Sequence, residues 1–180
     1  MHPASTAMTP SRNRLALALL ALIAAPAAAA RAQIIGGALE AKQTIYGGAA
    51  YDYVGEAVAG VGDVNRDGYA DFILGGSLAA PGGLTSAGSV WVYSGADGSL
   101  LYRFDGSTAY EYFGTSVAAA GDINGDGAGD FIIGSFYTRP PGQPFLHLGG
   151  AFVYSGADGS LLYQFLGVAD HDLFGAAVAG

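Results

Sequence analysis

Short apolar runs separated by glycine-rich polar turns recur along this chain at a period of about 60 residues. Each period reads as four strands. Val54–Gly62, matched by Phe113–Gly121, alternates small and apolar residues. Phe72–Leu74, matched by Phe131–Ile133, is an unbroken apolar run, which suits a strand buried on both faces. Ser89–Tyr93 and Gly150–Tyr154 are rich in β-branched and aromatic side chains, which fit a pleated, half-buried surface. Leu100–Phe104 and Leu161–Phe165 supply the fourth strand. Between the third and fourth, Ala96-Asp97-Gly98 marks a hairpin turn, because Gly98 tolerates the positive φ that such turns require. Short, evenly spaced strands with a turn between each predict an all-β chain of propeller blades, each with four antiparallel strands.

The repeat is close. Tyr51-Asp52-Tyr53-Val54-Gly55, Tyr110-Glu111-Tyr112-Phe113-Gly114 and His171-Asp172-Leu173-Phe174-Gly175 open three units, with repeats at about 51–109 and 110–170 and a truncated third at 171–180. Tyr93–Tyr102 recurs letter for letter as Tyr154–Tyr163. The second unit carries two extra residues between Gly134 and Gly149, a stretch with Pro140, Pro141 and Pro144 that predicts a surface loop. At the ends, Lys42–Gly47 aligns with Leu101–Gly106 and reads as a lone fourth strand, and Phe174–Gly180 reads as a lone first strand. About two complete blades with single strands at each end read as part of a longer propeller. The alternative is a short chain that closes by self-association, since unpaired sheet edges invite pairing. Tyr51, Tyr53, Tyr110 and Tyr112 recur with the repeat and are expected to pack between blades, with a ligand-stacking surface as the alternative. Trp91 aligns with Phe152 and is expected in the core.

Two acidic nonapeptides sit between the first and second strands. Asp63-Val64-Asn65-Arg66-Asp67-Gly68-Tyr69-Ala70-Asp71 and Asp122-Ile123-Asn124-Gly125-Asp126-Gly127-Ala128-Gly129-Asp130 share the pattern D-x-N-x-D-G-x-x-D. Oxygen side chains at loop positions 1, 3, 5 and 9, with a turn glycine at 6, suit a hard cation such as Ca²⁺. Gly68 and Gly127 fit the sharp turn. An EF-hand begins in the same way but needs a Glu at position 12 and flanking helices. Leu74 and Ile133 stand at position 12 here, inside predicted strands, so Asp71 and Asp130 would have to close the shell. The remaining alternative is a polar turn without metal, in which three carboxylates crowd together unrelieved. Expected affinity is on the order of 10⁻⁴–10⁻³ M, as in extracellular modules. Arg66, where the second loop has Gly125, is expected to face solvent and offset loop charge.

Composition adds the compartment. Arg12 and Arg14, the apolar run Leu15–Ala24 and the small residues after Pro26 form an export-signal pattern, with cleavage expected after Ala32 or Ala30. The alternative is a membrane anchor, although the run is shorter than the ~20 residues a spanning helix needs. A signal peptide at 1–32 would leave 33–180 as the mature chain, in a secreted, periplasmic or cell-surface setting, with no membrane span. That stretch holds four cations (Lys42, Arg66, Arg103, Arg139) against all 15 acids, a net charge of −11. Such a surface disfavours nucleic acid and anionic lipid. The chain has no cysteine, so a bound metal is the natural staple for an exported fold.

The residues Phe113-Gly114, Gly121–Gly127, Asp130–Gly134 and Gly149–Gly156 resemble the FG-GAP repeat of the integrin α-subunit β-propeller and of many exported bacterial proteins. The resemblance covers 42–180 and implies a seven-bladed propeller, of which this chain supplies a little over two blades. It implies two Ca²⁺ sites. Asp63, Asn65, Asp67 and Asp71 would be side-chain ligands of the first, with the Tyr69 carbonyl. Asp122, Asn124, Asp126 and Asp130, with the Ala128 carbonyl, would form the second. The "GAP" element survives only as Gly75-Gly76-Ser77 and Gly134-Ser135-Phe136, which leaves that turn's geometry open.

Catalysis has little footing. His147 lies in the Pro-rich insertion and His171 replaces a repeat tyrosine, and no Ser, Cys or acid stands at triad-like spacing. Both read as surface histidines. The expectation is a non-enzymatic, calcium-stabilised binding, adhesion or scaffolding module whose partner, by the resemblance, is a protein or extracellular ligand. The alternatives are the non-catalytic portion of an exported carbohydrate-active or phospholipase-type enzyme, and a truncated product without activity of its own.

Overall fold

A computed structural model describes residues 44–143 and 145–180. The expected signal segment at 1–32 lies outside the described residues. The described chain forms eight strands: β1 (Ala57–Gly62), β2 (Asp71–Gly76), β3 (Ser89–Tyr93), β4 (Leu100–Asp105), β5 (Ser116–Gly121), β6 (Asp130–Ser135), β7 (Gly150–Tyr154) and β8 (Leu161–Leu166). They make two four-stranded sheets in chain order, β1-β2-β3-β4 and β5-β6-β7-β8. Every pairing is antiparallel. These are the two expected blades. Their inner strands β1 and β5 lie side by side.

The apolar runs become the central strands. β2 and β6 are buried along nearly their whole length, as unbroken apolar stretches should be. Val61, Val64, Ile73, Val90, Val92, Phe113, Val117, Phe131, Ile133 and Phe152 form one core that runs through both blades. Aromatic rings fill the seam between the sheets: Phe104 meets Tyr154 at 4.5 Å between ring centres and Phe131 at 5.8 Å. The Tyr102 hydroxyl donates across the seam to the Gly156 carbonyl at 2.8 Å.

A register shift between Gly60 and Gly62 in β1, and its twin between Ala119 and Gly121 in β5, bends each inner strand into its acidic loop. Gly62 (φ 76°) and Gly121 (φ 75°) take the left-handed conformation there. The expected hairpin at Ala96-Asp97-Gly98 forms as well. Ser94 N donates to the Ser99 carbonyl, and the Asp97 carboxylate accepts from Ser99 N at 2.8 Å.

Three expectations are corrected. Neither Thr44–Gly47, the described part of 42–47, nor Phe174–Gly180 is a strand; the latter makes only a single parallel bridge, Gly149 to Phe174. In both blades the first strand pairs with the second strand of its own unit. Tyr51, Tyr53 and Tyr110 do not pack between blades but are exposed. They hold left-handed backbone at φ 70°, 56° and 60°. The repeated Tyr-x-Tyr segment is a turn whose side chains face out, except that Tyr112 stacks on Phe136 at 4.9 Å. Trp91 is half-buried, with the Arg103 guanidinium 5.7 Å from its ring, whereas its counterpart Phe152 is buried against Phe113. Unit one has Val54 in place of Phe113 and covers its ring less fully.

Candidate metal centre

Each acidic loop is held by a scheme of hydrogen bonds that repeats almost atom for atom. The carboxylate at position 1 accepts from the backbone at positions 5 and 6. Asp63 takes Asp67 N at 3.0 Å and Gly68 N at 2.9 Å. Asp122 takes Asp126 N and Gly127 N at the same two distances. The side-chain oxygen of Asn65 or Asn124 also accepts from position 5, and its amide donates to the position-5 carboxylate at 2.8 Å and 2.7 Å. That carboxylate accepts from position 7, Tyr69 N at 2.9 Å and Ala128 N at 2.8 Å. The glycine at position 6 makes the turn possible, with φ 87° in both loops.

The position-9 carboxylates start the second strand of each blade and lie in the interior. Asp71 is 2% exposed and Asp130 0%. Asp71 accepts from Val64 N at 2.8 Å and from Gly95 N at 2.9 Å. Asp130 accepts from Ile123 N at 2.8 Å and Gly156 N at 3.0 Å. Gly95 and Gly156 belong to the turn between third and fourth strands, so this aspartate ties the acidic loop to the turn beside it at the same end of its own blade. The serine before each glycine joins in. Ser94 Oγ donates to Asp67 at 3.2 Å and Ser155 Oγ to Asp126 at 3.3 Å. Sequence reasoning missed this support, although the letter-for-letter repeat of Tyr93–Tyr102 as Tyr154–Tyr163 was its signal.

Neither buried aspartate has a cationic partner among the described residues. Buried carboxylates are normally paired with a cation or a metal. The carbonyls of Tyr69 and Ala128 accept no hydrogen bond among the described residues. An all-oxygen donor set of this kind fits a hard divalent cation. The fit is not preformed: in neither loop do three carboxylates bring their oxygens within 4.8 Å of one another, the spacing reached by His147, Asp170 and His171.

Arg66 is exposed and offsets acidic-loop charge, but that of the neighbouring loop. Its guanidinium donates to Asp126 of the second loop at 2.9 Å. Together with the Ala128 and Asn124 donors, which matter more, it holds the Asp126 carboxyl below the usual carboxylate range. The loops touch at a second point, where Gly129 N donates to the Asp63 carbonyl at 3.1 Å.

Fold and loops together define a repeat protein of four-stranded antiparallel blades, each with an acidic loop between its first two strands. Residues 54–93 match the FG-GAP repeat family model. The chain is 33% identical over 144 residues to integrin alpha-5 of Xenopus laevis, covering 76% of this chain and 13% of that protein. It is 33% identical over 136 residues to integrin alpha-3 of Mus musculus, covering 72% and 12%. A stretch of 89 residues is 43% identical to integrin alpha-V of Gallus gallus, covering 48% and 8%. The chain is an FG-GAP repeat protein of the integrin-α type, and it spans about an eighth of the length of the first two relatives.

Proposed function

We propose that this chain is a calcium-stabilised, exported propeller module that binds a protein or extracellular ligand in adhesion or scaffolding. The observation that carries the calcium part is the twice-built loop with a buried, unneutralised aspartate at its ninth position. Ca²⁺ would supply the missing charge there. Asp63, Asn65, Asp67, Asp71 and the Tyr69 carbonyl would hold one ion; Asp122, Asn124, Asp126, Asp130 and the Ala128 carbonyl would hold the other. Closing on an ion requires Asp67 and Asp126 to turn from their Asn and Ser donors. The ion would then pin each blade's acidic loop to the adjacent third-to-fourth turn through Asp71 or Asp130.

The binding role rests on the likeness to integrin alpha subunits, and we read this chain as non-enzymatic. Export rests on the basic-then-apolar pattern at 12–24. Among the described residues no helix is long and apolar enough to cross a membrane.

Thermal unfolding with and without Ca²⁺ tests the metal reading. At 10 mM ion and the expected affinity, each site adds roughly 1.4–2.7 kcal/mol. That raises Tm by about 2–4 °C for each kcal/mol in a chain of this size. Asp130→Asn should remove about half of the rise. A melting curve that ignores calcium up to 10 mM would mean the loops are polar turns only.

A further inference from the structure

A second metal-ligand group stands away from the acidic loops, where the unit-two insertion meets the opening of unit three. His147 comes from the insertion. Asp170 and His171 come from the segment after β8. Their ligand atoms all lie within 4.8 Å of one another, the one such group of three among the described residues. His171 Nδ1 is 3.0 Å from Asp170 Oδ2, and His147 Nδ1 is 3.6 Å from Asp170 Oδ1. The backbone fixes this meeting. His147 N donates to Asp170 Oδ1 at 2.8 Å, and His171 N donates to the His147 carbonyl at 2.8 Å. The Tyr137 ring backs both imidazoles, at 5.0 Å and 6.1 Å between ring centres.

One atom is left over. His147 Nδ1 is buried and has no hydrogen-bond partner among the described residues. Its 3.6 Å separation from Asp170 is too long for a hydrogen bond. A buried polar atom without a partner calls for a ligand. The repeat offers an internal control. At the equivalent junction of unit one with unit two the three positions hold Ser86, Ala109 and Tyr110. All three have become metal-ligating types at once, and both histidines of the described chain are in the group.

We propose that His147, Asp170 and His171 bind a borderline transition-metal dication, Zn²⁺, with the remaining coordination positions open to solvent. Two imidazole nitrogens and one carboxylate oxygen suit Zn²⁺ and are a poor match for the hard Ca²⁺ of the acidic loops. The ion would staple the insertion to the start of the next unit, a crosslink that a chain without cysteine cannot make by disulfide.

Calorimetric titration of the untagged full chain with ZnCl₂, in millimolar Ca²⁺ to occupy the acidic loops, tests this. One Zn²⁺ per chain is expected. His171→Tyr and Asp170→Ala should each weaken it at least about tenfold. They restore Tyr110 and Ala109 of the junction between units one and two, and the first suits the backbone, since Tyr110 has φ 60° and His171 φ 63°. His147→Ser, which restores the unit-one residue, gives a second route to the same loss if either variant misfolds by circular dichroism. A Co²⁺-loaded chain should show visible d–d absorption that these variants lack. Absence of stoichiometric Zn²⁺ binding, or binding equal in wild type and His147→Ser, would overturn the site.

Discussion

The two acidic loops share a pattern and a hydrogen-bond scheme but turn opposite sides to their surroundings. In the first, Val64 at position 2 is 0% exposed, because blade two packs over it, and Tyr69 at position 7 is 61% exposed. In the second, Ile123 at position 2 is 45% exposed, and Ala128 at position 7 is 1% exposed against blade one. One loop lends its leading edge to the shared seam and the other its trailing edge. The acidic and asparagine positions therefore follow the repeat, while the residues between them answer to whichever blade lies alongside. A loop flanked on both sides would need an apolar residue at position 2 and small residues at 7 and 8.

Position 8 puts that reading under the greatest strain. Gly129 lies on the carbonyl of Val61, where an added methyl would overlap the oxygen. Its counterpart Ala70 is exposed. Gly129→Ala should cost about 2–3 kcal/mol, an overpacking penalty against rigid backbone. Ala70→Gly should cost no more than about 1 kcal/mol, from the added freedom of the unfolded chain. Urea unfolding of the two variants measures both. Equal losses would show that position 8 matters to the loop itself and not to the seam.

Much of this is legible in the amino-acid sequence. Strand content follows from apolar runs and turn glycines, and the two blades follow from the repeat, because each pairing is local: first strand to second, second to third, third to fourth. What was not legible needs a neighbour from outside the local sequence. Arg66 shares a sequence segment with Asp63 and Asp67, yet the blade seam brings it to Asp126. Tyr51 and Tyr110 look like core aromatics by type, yet left-handed backbone turns them outward. His147 and His171 lie too far apart in sequence to suggest a pair, and only the loop-to-loop backbone bonds join them. Ser94 and Ser155 were hidden for the opposite reason, since a short serine in a turn resembles every other turn serine.

The seam also titrates, more strongly on one side than on the other. Tyr154 has its hydroxyl pKa pushed up to about 12, first by burial and second by the charge of Glu111. Its unit-one counterpart Tyr93 is raised too, by burial, but Arg103 pulls it back. A tyrosine whose folded pKa exceeds its unfolded value near 10 favours folding fully below pH 10 and loses that contribution as pH climbs through 12. The chain should therefore weaken between pH 10 and 12. Tyr154→Phe should flatten that limb more than Tyr93→Phe does. Denaturant midpoints at pH 9, 10.5 and 12 provide the check, and a larger effect from Tyr93 would reverse the assignment.

Position 4 gives the smallest effect and the finest distinction. Gly125 sits at φ 73° without cost, whereas Arg66 holds φ 62° with a full side chain. A non-glycine residue there costs roughly 1–2 kcal/mol. Arg66→Gly removes that strain. It also gives up the Asp126 ion pair, worth about 0–1 kcal/mol at side-chain exposures of 50% and 27%. The unfolded chain gains freedom as well, a further 0.5–1 kcal/mol against folding, on the order found for glycine substitutions. These contributions nearly cancel, so net stability should stay within about 0.5 kcal/mol of wild type. The separate parts emerge with salt. Screening at 1 M NaCl, where the Debye length falls to about 3 Å, weakens the wild-type ion pair and leaves the strain untouched. Arg66→Gly should then gain on wild type as salt rises. A loss above about 2 kcal/mol at low salt would exceed what an exposed ion pair supplies. It would make Arg66 a structural strut between the two loops, and the loops would no longer be interchangeable copies at this position.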